Sequence, residues 1–209
     1  IPFIGVQVFA LGLVAVFPGM VHAFLKVESA SPVAEDRAGQ RPEAPVARLQ
    51  IEVPGWADGA EIPERFVQCQ AGLEPETSTA GDNVSPELRW DVPPEGTRAL
   101  LLTLIDLEGP EWVEDINQPG VRISDTAPRV ETLVWSQVLP ADSRGVEEGA
   151  ASDYQGPCPP WNDVLEHSYV YRVQALDTGA LELTAELEAL DEATRGHVLA
   201  EGSWIGSVK

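Results

Sequence analysis

Residues 100–105 read Leu-Leu-Leu-Thr-Leu-Ile, and residues 169–173 read Tyr-Val-Tyr-Arg-Val. The first stretch is apolar at nearly every position, which predicts a central strand covered on both faces. The second alternates along the chain, which predicts a strand with one buried face. Two packed sheets explain both patterns, so we predict a mainly β fold.

Other short apolar runs are bounded by Pro, Gly and Asp, and they extend the strand pattern to residues 49–53, 66–67, 132–138 and 169–176. Helix formers are concentrated near the end, at Leu183–Leu187 and Leu190–Leu199, with Thr184 and Asp191 as starts. We therefore expect short C-terminal helices that end at Gly202, followed by a last short strand over residues 203–208.

The first segment has the composition of a membrane span. Ile1–Leu25 carries no charged residue, and at about 1.5 Å per residue it is long enough to cross a hydrocarbon core of about 30 Å. Val21-His22-Ala23 also fits a signal-peptide cleavage site, but the missing basic n-region favours a retained helix. We predict a transmembrane anchor over residues 1–26, a polar Pro- and Ala-rich linker over 27–47 and one globular domain over 48–209.

The charge of the chain limits its partners. It contains 34 acidic and 13 basic residues, a formal net charge of −21, and the acids are scattered along the globular part. Nucleic acids need a basic footprint, so a nucleic-acid role is excluded. A solvated surface is the ordinary explanation of such charge, and docking onto a basic partner is the alternative.

The chain has two cysteines, Cys69 and Cys158, and neither has a second Cys or a His at metal-ligand spacing. A zinc site is therefore disfavoured. Spacing alone leaves two readings equally open. One is a disulfide, which would indicate an oxidising compartment, and the other is a pair of unrelated buried thiols.

Several motifs share one order and spacing along the chain. The most specific is S-P-x-L-x-W at Ser85–Trp90. With the others it resembles the phosphatidylethanolamine-binding and Raf-kinase-inhibitor-like family over residues 48–209. The other motifs are Gly59–Phe66, Asp106–Pro110 (similar to D-P-D-x-P), Tyr154–Pro160 (similar to Y-x-G-P-x-P-P), His167–Tyr171 and Gly196–Ala200.

The resemblance implies a two-sheet β fold with a small anion pocket at one edge. Bacterial exported relatives carry cysteines at the positions of Cys69 and Cys158, so the resemblance favours a disulfide between them and a periplasmic domain. Carried over position by position, it assigns six residues to the pocket: Asp106, Glu108, Trp135, Tyr154, Pro157 and His167.

The pocket pattern is broken at three positions. Leu107 replaces a motif proline, Val134 stands where the family has a pocket histidine, and Ser168 replaces the arginine that follows His167. A hydroxyl cannot replace the planar two-point grip of a guanidinium on phosphate. We therefore expect a degenerate, net negative site that binds an anionic head group poorly, in which Asp106 and His167 form a buried structural pair.

An enzyme is the less favoured class. Ser85, His167 and Asp106 supply the residue types of a nucleophilic triad, but Ser85 lies in a structural motif and no nucleophile elbow is present. Asp106 and Glu108 would need a substrate pocket for acid–base work. We expect no catalytic residue, metal or cofactor.

Three functions remain. The first is a non-catalytic accessory or structural subunit of a larger membrane assembly, tethered by residues 1–25, which contacts other subunits through Gln70–Asp82 and Trp112–Val130. The second is a periplasmic binding module for a small ligand or lipid head group. The third, an inhibitor of a protease or kinase, rests on family analogy alone. The predicted location is a bacterial membrane, with one span and the globular domain in the periplasm.

Overall fold

The structure is a computed structural model that describes residues 45–209. The predicted anchor, residues 1–26, and most of the predicted linker lie outside the described residues. Within residues 45–209, no helix is both long enough and apolar enough to cross a membrane. The strands are β1 Ala47–Arg48, β2 Ile51–Glu52, β3 Ala60–Glu61, β4 Cys69–Ala71, β5 Ser78–Ala80, β6 Leu88–Trp90, β7 Ala99–Pro110, β8 Arg129–Pro140, β9 Gly145–Val146, β10 His167–Leu176 and β11 Val198–Val208, and the helix α1 is Leu187–Thr194.

The main sheet has six strands in the order β1-β11-β10-β7-β8, with β3 also paired to β11. Strand β7 lies inside this sheet, between β10 and β8, and its residues Leu100, Leu101, Leu102 and Leu104 are all 0% exposed. Leu101 packs with α1, and the other three face the main core. The predicted central strand, covered on both faces, is confirmed, and each buried leucine stabilises the fold by about 1.5–3 kcal/mol.

The second sheet contains β2, β6 and β9 and supplies the other side of the core. Leu88 and Trp90 of β6 lie in the same buried cluster as Tyr171 and Val173 of β10. Those two residues of β10 face inward, while Arg172 between them is only partly buried. The mainly β, two-sheet prediction is therefore confirmed, and the alternation in residues 169–173 has its expected cause.

The third sheet is a hairpin of β4 and β5, which are paired with each other. The predicted strand just before it, Phe66–Val67, is wrong. Phe66 ends a 3₁₀ turn, Glu64–Phe66, and both Phe66 and Val67 are 0% exposed. Their apolar character reflects burial of a tight turn, which short apolar runs do not distinguish from a strand.

The C-terminal region departs from the prediction. One helix, Leu187–Thr194, replaces the expected two, and β11 begins at Val198 instead of residue 203. Gly196 has a φ of +75° and reverses the chain after α1. Residues 198–200, predicted as helical, instead pair with Leu176 and Ala175 of β10. Pairing along a neighbouring strand overrides the local helix propensity of these residues.

Candidate functional site

The candidate site lies where β7 ends and β10 begins. The two strands pair Asp106 with Tyr169, which brings the Asp106 carboxylate beside the adjacent His167 side chain. The distances from His167 Nδ1 to Asp106 Oδ1 and Oδ2 are 3.0 and 2.8 Å. His167 is 0% exposed and Asp106 is 8% exposed, so this is a buried pair. The structure thus contains the Asp106–His167 pair that the sequence analysis predicted.

A second carboxylate faces the other ring nitrogen of His167. Asp163 Oδ2 lies 3.2 Å from His167 Nε2, close enough for a charge contact although the angle is not that of a hydrogen bond. Asp163 in turn binds both terminal nitrogens of Arg129, and the distance from Nη2 to Oδ1 is 3.0 Å. The side chains of Asp163 and Arg129 are 0% and 15% exposed. The arrangement is a chain of alternating charge, Asp106–His167–Asp163–Arg129.

The charges around His167 and Asp163 shift the pKa values of both side chains. Burial acts to lower the pKa of His167, but the hydrogen bond and charge of Asp106 and the contact with Asp163 outweigh it and raise that pKa. Burial acts to raise the pKa of Asp163, but Arg129, the Leu165 N–H and His167 together lower it. The site therefore favours an imidazolium between two carboxylates, with a guanidinium at one end.

Glu108 is also engaged inside the protein. Its backbone N–H donates to Asp106 Oδ1 at 2.9 Å, and its Oε2 accepts the Ser168 N–H at 2.5 Å. The Tyr169 hydroxyl is buried beside Asp106, and burial together with that carboxylate raises the Tyr169 pKa. Each acid of the candidate pocket is therefore bonded to protein groups on the two strands.

Trp135 and Tyr154 form a second group. Their rings meet edge to face with centroids 5.4 Å apart, and Trp135 Nε1 donates to the Ser152 carbonyl at 3.0 Å. The Tyr154 hydroxyl lies 2.5 Å from the Tyr171 hydroxyl and 3.1 Å from the Phe66 carbonyl. Burial raises the pKa of Tyr154 despite the bond from Tyr171. Trp135 belongs to the main core cluster, and Tyr154 packs against that cluster.

Pro157 belongs to a third element, the loop that carries Cys158. Its carbonyl accepts the N–H groups of Gln68 and Cys69 at 2.8 and 3.2 Å. Cys69 and Cys158 form a disulfide, which joins β4 to this loop across 89 residues of sequence. The disulfide predicted from the family resemblance is confirmed.

A profile of the family described as phosphatidylethanolamine-binding protein matches residues 53–209. The chain belongs to the phosphatidylethanolamine-binding protein family. The UPF0098 protein of Methanothermobacter thermautotrophicus is 30% identical over 165 residues, which cover 76% of this chain and 97% of that relative. The UPF0098 protein YbhB of Escherichia coli is 31% identical over 136 residues, which cover 60% of this chain and 77% of YbhB.

Solved structures show the same fold. The crystal structure of E. coli YbcL, described as a new member of the mammalian family, aligns with a TM-score of 0.56 at 21% identity and covers 78% of this chain and 99% of that one. The Chlamydia trachomatis homologue CT736 aligns with the same TM-score and identity. The phosphatidylethanolamine-binding fold of this domain is therefore shown.

Two residues of the site, Arg129 and Asp163, were missed by the sequence analysis. Arg129 and Asp163 are 34 residues apart, and neither belongs to a motif quoted above. Arg129 supplies a guanidinium that donates to the Glu108 carbonyl, but Asp163 accepts from both of its terminal nitrogens. A buried acid generally needs a cation beside it, but this rule does not tell which residue of the chain supplies that cation.

The triad suggested by residue type does not form. Both ring nitrogens of His167 face aspartates, so neither is directed at a serine hydroxyl. Ser85 is 3% exposed and its oxygen accepts the Ala151 N–H at 3.2 Å. The hydroxyl therefore braces a loop of the phosphatidylethanolamine-binding domain. Val134 sits at an irregularity in β8, between residues that pair with Ile105 and Leu104.

Proposed function

We propose that this protein is a non-catalytic accessory subunit that uses its phosphatidylethanolamine-binding domain to contact another protein of a membrane assembly. One observation carries the proposal: the charged side chains at the family pocket are paired with other groups of the protein. His167 lies between two aspartates, Glu108 accepts a strand N–H and Arg129 is bound to Asp163. Pairing of this kind stabilises the fold and leaves few charged groups for a ligand.

A surface outside this network has the composition of a protein contact. The loop of residues 111–128, which we call the Trp112 loop, connects β7 and β8 and exposes 52% of Trp112 and 71% of Val113. An exposed aromatic beside an aliphatic side chain is typical of the centre of a protein interface. Apart from Glu111, the loop lies within the stretch Trp112–Val130 that the sequence predicted as a contact surface.

The Trp112 loop is held in place by one buried side chain. Asn162 donates to the carbonyls of Asp115 and Val121 at 2.8 and 3.1 Å, and its oxygen accepts the Asn117 N–H at 2.8 Å. Asn162 itself is 7% exposed. Because the loop is ordered before any partner arrives, less conformational entropy is lost on binding.

The charge of the loop indicates the kind of partner. It carries the acids Glu111, Glu114, Asp115 and Asp125 but a single base, Arg122. Complementary charge speeds encounter and selects partners, so a basic protein surface fits best. The uncharged run Ile1–Leu25 supports attachment to a membrane, where the partner would lie.

Size separation of native membranes in mild detergent tests the proposal. The expected result is migration of the chain within a large assembly, and a shift to smaller size in the Trp112→Ala variant. Val92→Ala is the matched control, because Val92 is 72% exposed but follows β6 in the other sheet. Migration of the unaltered chain alone, with the mass of a bound metabolite, would overturn the proposal and favour the ligand-binding module.

A further inference from the structure

The β4–β5 hairpin is a solvent-exposed part of the domain that lies outside its core. Residues 73–80 are all exposed, and Leu73 near its tip is 101% exposed. None of residues 69–80 belongs to the buried core clusters of the described chain. Movement of the hairpin would therefore leave the buried apolar area of the domain unchanged.

The base of the hairpin is anchored in the core. Phe66 and Val67 are fully buried, the Gly81 N–H donates to the Gln68 carbonyl at 3.0 Å and the Asn83 N–H donates to the Val67 carbonyl at 3.1 Å. A Cβ on Gly81 would lie 2.1 Å from the Val67 carbonyl oxygen, so only glycine permits this close approach. The chain leaves this anchored base at Gln68 and Gly81.

Three kinds of attachment then fix the hairpin and the end of its base to the rest of the described domain. The Gln68 and Cys69 N–H groups donate to the Pro157 carbonyl, and Cys69 is bonded to Cys158. At the tip, the Glu76 carboxylate accepts the Gly120 N–H at 2.7 Å. The disulfide is the covalent attachment, and it holds the hydrogen bonds to Pro157 in register.

From this arrangement we infer that the Cys69–Cys158 disulfide is a redox-sensitive clasp, which holds the β4–β5 hairpin against the Trp112 loop when oxidised and releases it when reduced by a dithiol. Cys158 is exposed, so a thiolate reaches the bond from solvent. The dithiol attacks the Cys158 sulfur and expels the Cys69 thiolate. Its second thiolate then attacks the dithiol's own sulfur in the resulting mixed disulfide and expels the Cys158 thiolate. The dithiol leaves as a cyclic disulfide, and two electrons and two protons pass to the cysteines.

Release would change the proposed docking surface. Glu76 contacts Gly120 within the Trp112 loop, and the same two residues line a cleft with Val121, Arg122 and Asp163. A freed hairpin removes one wall of this cleft and exposes the edge of the loop. This consequence rests on the proposed function, whereas the release itself does not.

Hydrogen exchange with mass spectrometry on the full chain, with and without dithiothreitol, tests the clasp. The expected result is at least about tenfold faster exchange of the Gln68, Cys69 and Gly120 amides after reduction, equivalent to about 1.4 kcal/mol of local protection. The β7 and β10 amides should keep their protection. Uniformly faster exchange, or unchanged exchange at the hairpin, would overturn the inference.

A second variant separates release from side effects of the reductant. Cys69→Ser combined with Cys158→Ser should reproduce the reduced pattern without dithiothreitol and should show no further change when it is added. If this variant instead exchanges like the oxidised chain, the disulfide is not the clasp. Both measurements use the isolated chain, so they stand even if no protein partner binds the Trp112 loop.

Discussion

The buried charge chain and the Trp112 loop are both built around polar side chains, yet they use them in opposite ways. In the charge chain, His167 and Asp163 are 0% exposed; His167 is bonded to Asp106 and in charge contact with Asp163, and Asp163 is bonded to Arg129. In the loop, buried Asn162 orders the backbone so that Trp112 remains 52% exposed. Buried polar groups that could bind a ligand instead bond to one another and stabilise the fold. In the loop, a buried polar group orders the backbone, and an aromatic ring stays exposed for a partner.

Removal of Arg129 should have the largest effect on stability. Arg129→Ala leaves the Asp163 carboxylate buried without its guanidinium, which should lower the free energy of unfolding by about 3–5 kcal/mol. Urea denaturation measures this difference. Arg195→Ala is the control, because its pair with Glu192 is 70% and 65% exposed and should contribute less than about 1 kcal/mol. Equal losses would show that the charge chain is not a stabilising element.

Removal of Asn162 should have the next largest effect, and it tests the other half of the comparison. Asn162→Ala leaves the carbonyls of Asp115 and Val121 without their donor, at an expected loss of about 1–3 kcal/mol. Hydrogen exchange should become faster at the Asn117 amide. Thr178→Ala, which removes one exposed bond to the Ala180 N–H, is the control. A loop that keeps its exchange protection in Asn162→Ala would not be ordered in this way.

The change of stability with pH should be smaller than the effects of these two substitutions, because His167 loses only a proton and the side chain remains. The folded-state pKa of His167 is raised by Asp106 and Asp163 against the opposing effect of burial, so its contribution is complete below the unfolded value of about 6.5. That contribution is lost as pH rises through the folded pKa. Urea denaturation from pH 6 upward, at spacing of about one unit, should show this decline.

His167→Gln should remove this decline, since glutamine does not titrate. On the acid side, the lowered pKa of Asp163 gives stability above its ordinary value, and that stability is lost as pH falls through the folded pKa. Arg129→Ala should weaken the acid-side change. A decline above pH 6 that persists unchanged in His167→Gln would assign it to another group.

Trp112→Ala should have the smallest effect on stability, within about 0.5 kcal/mol, because the ring is half exposed. If the proposed function holds, it should nevertheless release the chain from the proposed assembly. Thermal melting and size separation of the same preparation measure the two effects together. A loss of stability as large as that of Arg129→Ala would mean that Trp112 serves the fold and not a partner.

Much of the fold, and part of the candidate site, could be predicted from the sequence. The alternation at residues 169–173 and the apolar run at residues 100–105 indicated a two-sheet core, and the motifs around Ser85 and Asp106 indicated the family. The Asp106–His167 pair also followed, because a buried polar group needs a partner. The C-terminal boundaries were wrong, since pairing of β11 with β10 overrode helix propensity at residues 198–200.

The sequence by itself determined the strand-rich core, the family and the acidic surface, because apolar periodicity, short motifs and charge are local or summed properties of a chain. Only the tertiary structure decided that Arg129 neutralises Asp163, that Asp163 faces His167 and that Asn162 orders the Trp112 loop. The Arg129–Asp163 pair joins residues 34 positions apart in sequence, and each side-chain hydrogen bond of Asn162 joins residues more than 40 positions apart. Partners at such separation are chosen by strand register and burial, which no local pattern records.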